Sequence, residues 1–461
     1  MRWLSLLVGL AACGRYHFVD AEDASVDACV AGTACTPAAI CWTGLTTCST
    51  GDPCALDQML DQVACPGGGC ASGICVGPSD PALGPAAGTN AYFGTSVDSD
   101  GLRILVGAVA ANAAYVLEQN NGQWAVTATL TSSWGPAGSD FGAAVAIQGD
   151  LAVVGSRYSR GPGMPTASGT GGAIVIFERN AQGQWIEQQG LLGPDGGEFG
   201  NAIDLDSGRM VVGAEYATVI ANGWGAAYII EQQGSAWTIV STLTAVTADR
   251  LGHAVQVSGD RAFAGSLWDP GPVSTETGAV RVWERQADAT WLQTQTLQPD
   301  DLRVDAFGQG FSVDGDRIAV GVPAFSDPDR GTGAVYVYSR DASGLWQTPG
   351  PIAPPLKQRD GNFGRGVLLR GDRVFATSID WSSTPSPVLT SVYRVMPSGE
   401  WLEVGRRIDP GGQDNGFAYG GIEVDLQMAG AGDDIVVGYP VRGYSGGRAP
   451  GAIVVQNTAG W

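Results

Sequence analysis

Imidazoles, thiols, carboxylates and hydroxyls carry most protein chemistry, and this chain distributes them unevenly. It has two histidines, His17 and His253, and nine cysteines, eight of them between Cys29 and Cys75. No Gly-x-Ser-x-Gly elbow, His-Glu-x-x-His pair or phosphate-cradling glycine loop occurs. His253 directly follows Leu251-Gly252, where another stretch of the chain has Ala143 after Phe141-Gly142. A buried or lining role is therefore expected for it. With no nucleophile–base set the residues predict no enzyme, although an acid–base site assembled from distant carboxylates and tyrosines would leave no local signature.

The cysteines imply different chemistry. Cys29, Cys35, Cys41, Cys48, Cys54, Cys65, Cys70 and Cys75 form an even set in a segment with few apolar residues, so a disulfide-stapled mini-domain is expected over residues 29–75. Zinc is the alternative; the absence of any Cys-x-x-Cys pair weighs against it. The pairing is left open. The ninth cysteine stands apart. Arg2, a short apolar run and then Leu10-Ala11-Ala12-Cys13 resemble a bacterial lipoprotein signal, which implies that Cys13 becomes the lipidated first residue. Gly14 follows, in place of an inner-membrane-retaining Asp, so the expected location is the cell envelope, with the outer membrane as default. Residues 14–28 read as an acidic tether and 76–90 as a proline-bearing linker.

Composition narrows the rest. Of 461 residues, 69 are Gly and 25 Pro, hydrophobic content is 44% and charged content 15%, which suits many short strands joined by turns. The net charge of −21 excludes nucleic acid as a natural partner and disfavours anionic membrane surfaces, so membrane contact is expected through the lipid alone. Lys357 is the sole lysine.

From residue 91 onward the chain repeats. Phe-Gly recurs at Phe93, Phe141, Phe199, Phe307 and Phe363, with Leu251-Gly252 in the same phase and a degenerate copy at Phe417 to Gly420. Successive spacings are 48, 58, 52, 56, 56 and 54 residues. A second marker keeps step: Trp124, Trp185, Trp237, Trp291, Trp346, Trp401 and Trp461. Within a unit, alternation over 144–147 stops at Gly149-Asp150, residues 151–155 return, 172–177 form a third apolar run, and Trp185 opens a fourth. Gly first in a two-residue turn fits a type II′ hairpin. Four antiparallel strands repeated seven times predict an all-β, seven-bladed β-propeller of four-stranded blades preceded by the small disulfide-rich module. A fourth strand is due where Trp461 stands, so residues before Phe93, ending near Leu83, are expected to supply the last blade's outer strand.

The Phe-Gly-x-x-Val, Gly-Asp and Val-Gly elements, well formed in Ile318-Ala319-Val320-Gly321 and Gly333-Ala334-Val335-Tyr336, resemble the short form of the FG-GAP repeat. The resemblance covers roughly residues 90–461 and implies a propeller like the head of integrin α chains, not integrin function. It also implies calcium in the hairpin after the Phe-Gly strand, on an Asp-rich loop. Here that loop is mostly cut to Gly-Asp. Weak candidates are Asp98 and Asp100, with Arg103 near the last ligand position, Asp314 and Asp316 on a tight turn, and Asp425 and Asp433 with Gln427 and Ala429 between them. No complete site results, so no metal or cofactor is expected. Arg370-Gly371-Asp372 spells an integrin-recognition tripeptide but falls on the repeat's hairpin turn.

The periodic tryptophans read as packing. Trp134, Trp224, Trp268 and Trp381 are out of phase and fall in or near variable segments, where binding concentrates, so these four are the expected ligand contacts. The leading reading is a lipid-anchored surface module that binds a protein or polysaccharide through propeller loops. The alternatives are a structural envelope lipoprotein without a discrete ligand, and a polysaccharide-acting hydrolase or lyase.

Overall fold

A computed structural model of the protein describes residues 92–166, 171–219, 224–245, 249–268, 277–299, 306–325, 331–348, 350–354, 361–379 and 388–409, with strand segments at 42–43, 58–59, 64–65, 68–71, 74–78, 427–431, 434–439 and 452–457. Cys13, Cys29, Cys35, Cys41, Cys48 and Cys54 lie outside the described residues.

The second unit shows how sequence becomes blade. Phe141–Gln148, Leu151–Ser156, Ala173–Arg179 and Trp185–Leu192 pair antiparallel in that order. The first three strands are Val-, Ile- and Ala-rich and buried along most of their length, while the outer strand is largely exposed or half-buried. Alternation survives only in strands with one wet face. Gly149 turns the first hairpin at φ +58°, matched by Gly259 and Gly315 at +58° and Gly371 at +56°. The Asp that follows each keeps a negative φ, as a type II′ turn requires.

Four blades take this regular four-stranded form. Besides the second, they are Phe93–Ser99 to Gln123–Leu130, Ile203–Asp206 to Ala236–Leu243, and Asp249–Ser258 to Trp291–Leu297. The remaining described sheets depart from it, which corrects the expectation of seven like sheets. In the fifth unit the outer strand is split into Trp346–Gln347 and Pro351–Ile352, because Pro351 cannot donate to a ladder. The sixth, Val367–Arg370 to Trp401–Asp409, is extended by a parallel pairing of its outer strand with Ile74–Pro78. The last sheet has three strands, Gln427–Ala431, Asp434–Tyr439 and Ala452–Asn457. At the start of the stretch expected to close the last blade, Val76, Gly77 and Pro78 instead lie beside Arg406, Arg407 and Ile408 of the sixth unit; the rest of that stretch lies outside the described residues. Its hairpin register sets Cys70 opposite Cys75.

The innermost strands pack edge to edge in cyclic order, and Gln427–Ala431 returns to Phe93–Ser99. One contact repeats at each blade junction from the first unit to the sixth. A methyl group added to the Val-Gly glycine would sit 2.0 Å from the carbonyl oxygen of the next unit's Phe-Gly glycine for Gly107 on Gly142, Gly155 on Gly200, Gly213 on Gly252 and Gly265 on Gly308, and 1.8 Å for Gly321 on Gly364. Gly438 meets Gly94 in the same way at 2.5 Å, which joins the last sheet to the first. Phe93, Val106 and Val436 share one core across that seam.

The arginines and periodic tryptophans form a second fastening on the turn side. Arg103 Nη1 donates to the Gly149 carbonyl at 2.7 Å, Arg209 to Gly259 at 2.5 Å, Arg261 to Gly315 at 2.9 Å and Arg317 to Gly371 at 3.1 Å, each crossing to the next unit. Arg103, Arg209 and Arg261 also lie over the rings of Trp185, Trp291 and Trp346, again in the next unit. A planar fork that stacks and donates at once is an arginine property. Where Leu151 replaces the arginine, the facing Trp237 is simply buried beside it in an apolar cluster.

Gly265→Ala is expected to destabilise the protein by about 2–3 kcal/mol, the cost of forcing a methyl into a filled backbone contact. Gly259→Ala, on an open turn with nothing within 4 Å, is expected to cost only the strain of its positive φ. Chemical-denaturant midpoints of the two variants would check this; equal midpoints would contradict the junction argument.

Candidate functional site

Each blade has two ends. The turn end carries the Gly-Asp hairpins. The other, the Phe-Gly face, carries the residue before each Phe-Gly and the residues that leave the second strand.

At the turn end the calcium candidates are engaged elsewhere. Asp98 Oδ2 accepts from the Ile147 amide at 2.7 Å and Asp100 Oδ2 from Gly149 at 3.1 Å. Asp314 accepts from Gly371 at 2.5 Å. Asp204 and Asp206 do the same to Val257 and Gly259. These carboxylates tie one inner strand to the backbone of the next. Arg103 also pairs with Asp100 at 3.4 Å, and Arg261 with Asp316 at 2.6 Å, so guanidinium stands where a cation would. The donor set does not fit calcium, and among the described residues no group of three or more His, Cys, Asp or Glu is placed to hold a metal. Asp425 and Asp433 lie outside the described residues. Arg370-Gly371-Asp372 forms the sixth unit's hairpin turn, with Gly371 bonded to Asp314 and Arg317 and Asp372 to Arg394.

Two of these carboxylates have unusual proton affinity. Burial between the inner strands raises Asp98 to about 6 and Asp204 to about 7, against the pull of their amide donors and with some mutual repulsion. By solvent exposure both are only half-buried, so water in contact with them softens the penalty.

The Phe-Gly face is built differently. In six units the residue before Phe-Gly is a non-glycine held in the left-handed region: Tyr92, Asp140, Glu198, Arg250, Ala306 and Asn362, with φ from 48° to 64°. Each such placement costs of the order of 1 kcal/mol. It reverses the chain so that the carbonyls of Asp140, Glu198, Ala306 and Asn362 take amides three residues on, and it turns the variable side chain toward the face.

In the second to fourth units these side chains form one charged network. Arg157 clamps Asp140 with 2.9 and 2.7 Å bonds and stacks on Tyr158. Glu215, only 5% exposed, accepts from Arg250 at 3.2 Å and meets His253 Nδ1 at 2.9 Å. Burial pushes the Glu215 carboxyl up, but the His253 hydrogen bond and the Arg250 and Arg157 charges outweigh it and hold the group below its ordinary value. The Arg250 guanidinium lies over the Tyr216 ring at 4.8 Å and the Trp268 ring at 4.7 Å, and it donates to the Tyr216 hydroxyl. Asn201 bonds the Gly252 and His253 carbonyls and locks the junction beneath.

Of the four tryptophans expected to contact ligand, two lie at this end of adjacent units. Trp224 is 51% exposed, and its backbone bridges Asp249, next to Arg250; Trp268 is 39% exposed and stacks on Arg250 itself. Trp134 is half-buried against Gly190, where an added methyl would strike the indole, so its role is packing. Trp381 lies outside the described residues. Not foreseen were Arg157, Glu198, Glu215, Tyr216 and Arg250. For Glu198 and Arg250 the signal was the residue before Phe-Gly or Leu-Gly, which changes type from unit to unit while its neighbours hold; Arg157, Glu215 and Tyr216 follow the second strands and carried none.

Residues 124–176 and 291–338 match the family described as FG-GAP repeat. Each match runs from a periodic tryptophan to a third strand of the next unit, so both cross a blade junction, at Phe141-Gly142 and at Phe307-Gly308. These are FG-GAP repeats, arranged as a β-propeller. No curated protein matches the chain. Among solved structures, a functionally unknown protein from Desulfotomaculum acetoxidans is 13% identical over 69% of this chain and 89% of its own, with a TM-score of 0.43. Hydrazine synthase from Kuenenia stuttgartiensis is 11% identical over 78% and 96%, TM-score 0.48, and a candidate 6-phosphogluconolactonase from Bacteroides uniformis 13% over 70% and 86%, TM-score 0.47. These likenesses assign no activity. FG-GAP repeats point to a non-enzymatic propeller, a binding or structural module.

A carboxyl with raised proton affinity in the folded state stabilises at low pH, and that stability is lost as pH rises through its folded value. For Asp204 the window runs from the ordinary aspartate value of 3.8 to about 7. Asp204→Asn, which keeps the acceptor for Val257, is expected to gain about 1–2 kcal/mol at pH 8 over wild type and little at pH 4. Melting curves of both proteins across that range would check it; a constant difference would contradict it. Chelator is expected to leave the melting temperature of either protein unchanged.

Proposed function

We propose that this chain is a lipid-anchored binding module of the cell envelope, with a ring of seven blades and a recognition surface on the Phe-Gly face of the third and fourth. The blade count rests on seven in-phase repeat markers and on the cyclic packing of the inner strands. The anchor rests on Leu10-Ala11-Ala12-Cys13, followed by the acidic tether and the cysteine block. The observation that carries the binding reading is the exposure of Trp224 and Trp268 beside an arginine that is itself fixed by Glu215 and Tyr216. Exposed aromatic rings held by buried charges form a preorganised surface, and an arginine immobilised before contact loses little entropy on binding. The enzyme reading gains no support from Glu215, which is kept ionised and is therefore no proton donor.

Two measurements test this. Cells labelled with radioactive palmitate are expected to incorporate label into wild type and not into Cys13→Ser, which should leave the envelope fraction; unlabelled wild type would remove the anchor. The double variant Trp224→Ala, Trp268→Ala is expected to melt within a few degrees of wild type and to lose retention of envelope components on the immobilised chain. Undiminished retention would move the recognition surface elsewhere.

A further inference from the structure

The chemistry of the surface formed by Trp224, Trp268, Arg250 and Tyr216 identifies a class of ligand, an inference that rests on the binding reading of the Phe-Gly face. We propose that it is a saccharide site taking an uncharged or weakly charged pyranose chain.

The fold makes the exposed rings conspicuous. Every Phe of the Phe-Gly motif from Phe93 to Phe363 is fully buried, and periodic Trp237 and Trp346 are nearly so. Trp224 and Trp268 instead stay 51% and 39% open at the same end of adjacent units. The Trp268 and Tyr216 rings both lie against the Arg250 guanidinium, which Glu215 neutralises, and Trp224 pairs through its backbone with Asp249 next to it. Glu215 is in turn held by His253. Flat apolar rings beside fixed, charge-balanced donors and acceptors match a sugar, which offers a C–H face for stacking and hydroxyls that both donate and accept.

Other classes fit less well. Phosphate-bearing ligands face a chain of net charge −21 and an Arg250 already paired. An acyl chain needs a continuous apolar groove, and here the rings are separated by ions. A cationic ligand would meet Arg250 at the centre of the site.

The test uses the purified whole chain, titrated with soluble hexasaccharides of glucose, xylose, mannose and N-acetylglucosamine. Binding heat and indole fluorescence are both recorded. Saturable binding of at least one, with a fluorescence change, is expected. Trp268→Ala and Trp224→Ala should each weaken it about tenfold, the loss of roughly 1.4 kcal/mol of stacking, at unchanged melting temperature. Trp185→Phe, a substitution on the opposite face, should bind as wild type. Absence of saturable binding with all four sugars, or wild-type affinity in both alanine variants, overturns the proposal. If no sugar binds but wild type retains an envelope protein that Trp268→Ala does not, the saccharide assignment fails and the binding reading stands. If that retention is also insensitive to Trp268, both fail.

Discussion

The molecule depends on a contact between two glycines. In each of six junctions the Val-Gly glycine of one unit lies under the carbonyl of the Phe-Gly glycine of another, so close that no side chain fits. The Phe-Gly glycine takes φ between +87° and +97° to present that carbonyl, a conformation open to glycine and strained in other residues. Neighbouring sheets can thereby approach along their inner edges while the Phe ring of the motif fills the space behind. The same contact between Gly438 and Gly94 turns a row of blades into a ring. At the sixth unit Thr377 takes the equivalent place, with its hydroxyl bonded to the Gly366 amide.

This constraint explains what was legible in the sequence. A motif forced by close backbone approach must recur wherever the approach recurs, so Phe-Gly, Gly-Asp and Val-Gly reveal strand order, turn type and repeat number to anyone who aligns the chain with itself. The periodic tryptophans were readable for a related reason, since Trp185, Trp291 and Trp346 meet an arginine of the preceding unit and Trp237 packs with Leu151. Less legible was where the pattern is interrupted. Nothing local announces that Gly350-Pro351 splits an outer strand, or that residues 76–78 choose the sixth unit over the last. Strand partners chosen across hundreds of residues depend on edges left free in three dimensions, and an edge is not a sequence property.

The acidic residues show the limit of motif reading most clearly. Asp98, Asp100 and Asp314 stand where a calcium loop would put its ligands, and only the structure shows them accepting amides from the next unit. Carboxylate oxygens suit a cation or a row of N–H groups equally well, and the choice falls to whatever lies within reach. Arg103 brings guanidinium to the same Asp100 oxygen that takes the Gly149 amide, and Arg261 occupies Asp316 on the neighbouring turn. An arginine-fastened ring keeps its inter-blade ties without metal, at the cost of two carboxyls, Asp98 and Asp204, held where ionisation is disfavoured.

Function enters where the rotational symmetry breaks. The framework treats the residue before Phe-Gly alike in six units, in a left-handed conformation whose cost is the same wherever it occurs. The side chains are not alike. The second, third and fourth units place Asp140, Glu198 and Arg250 there and answer them with Arg157 and Glu215, whereas the fifth and sixth place Ala306 and Asn362. The same glycine contact joins these units whichever residue precedes Phe-Gly, so the framework does not depend on that side chain. The buried ions and open indoles of the third and fourth units therefore vary on a scaffold whose packing is secured by the repeated glycine contact, and that is where side chains are free to change without cost to the ring.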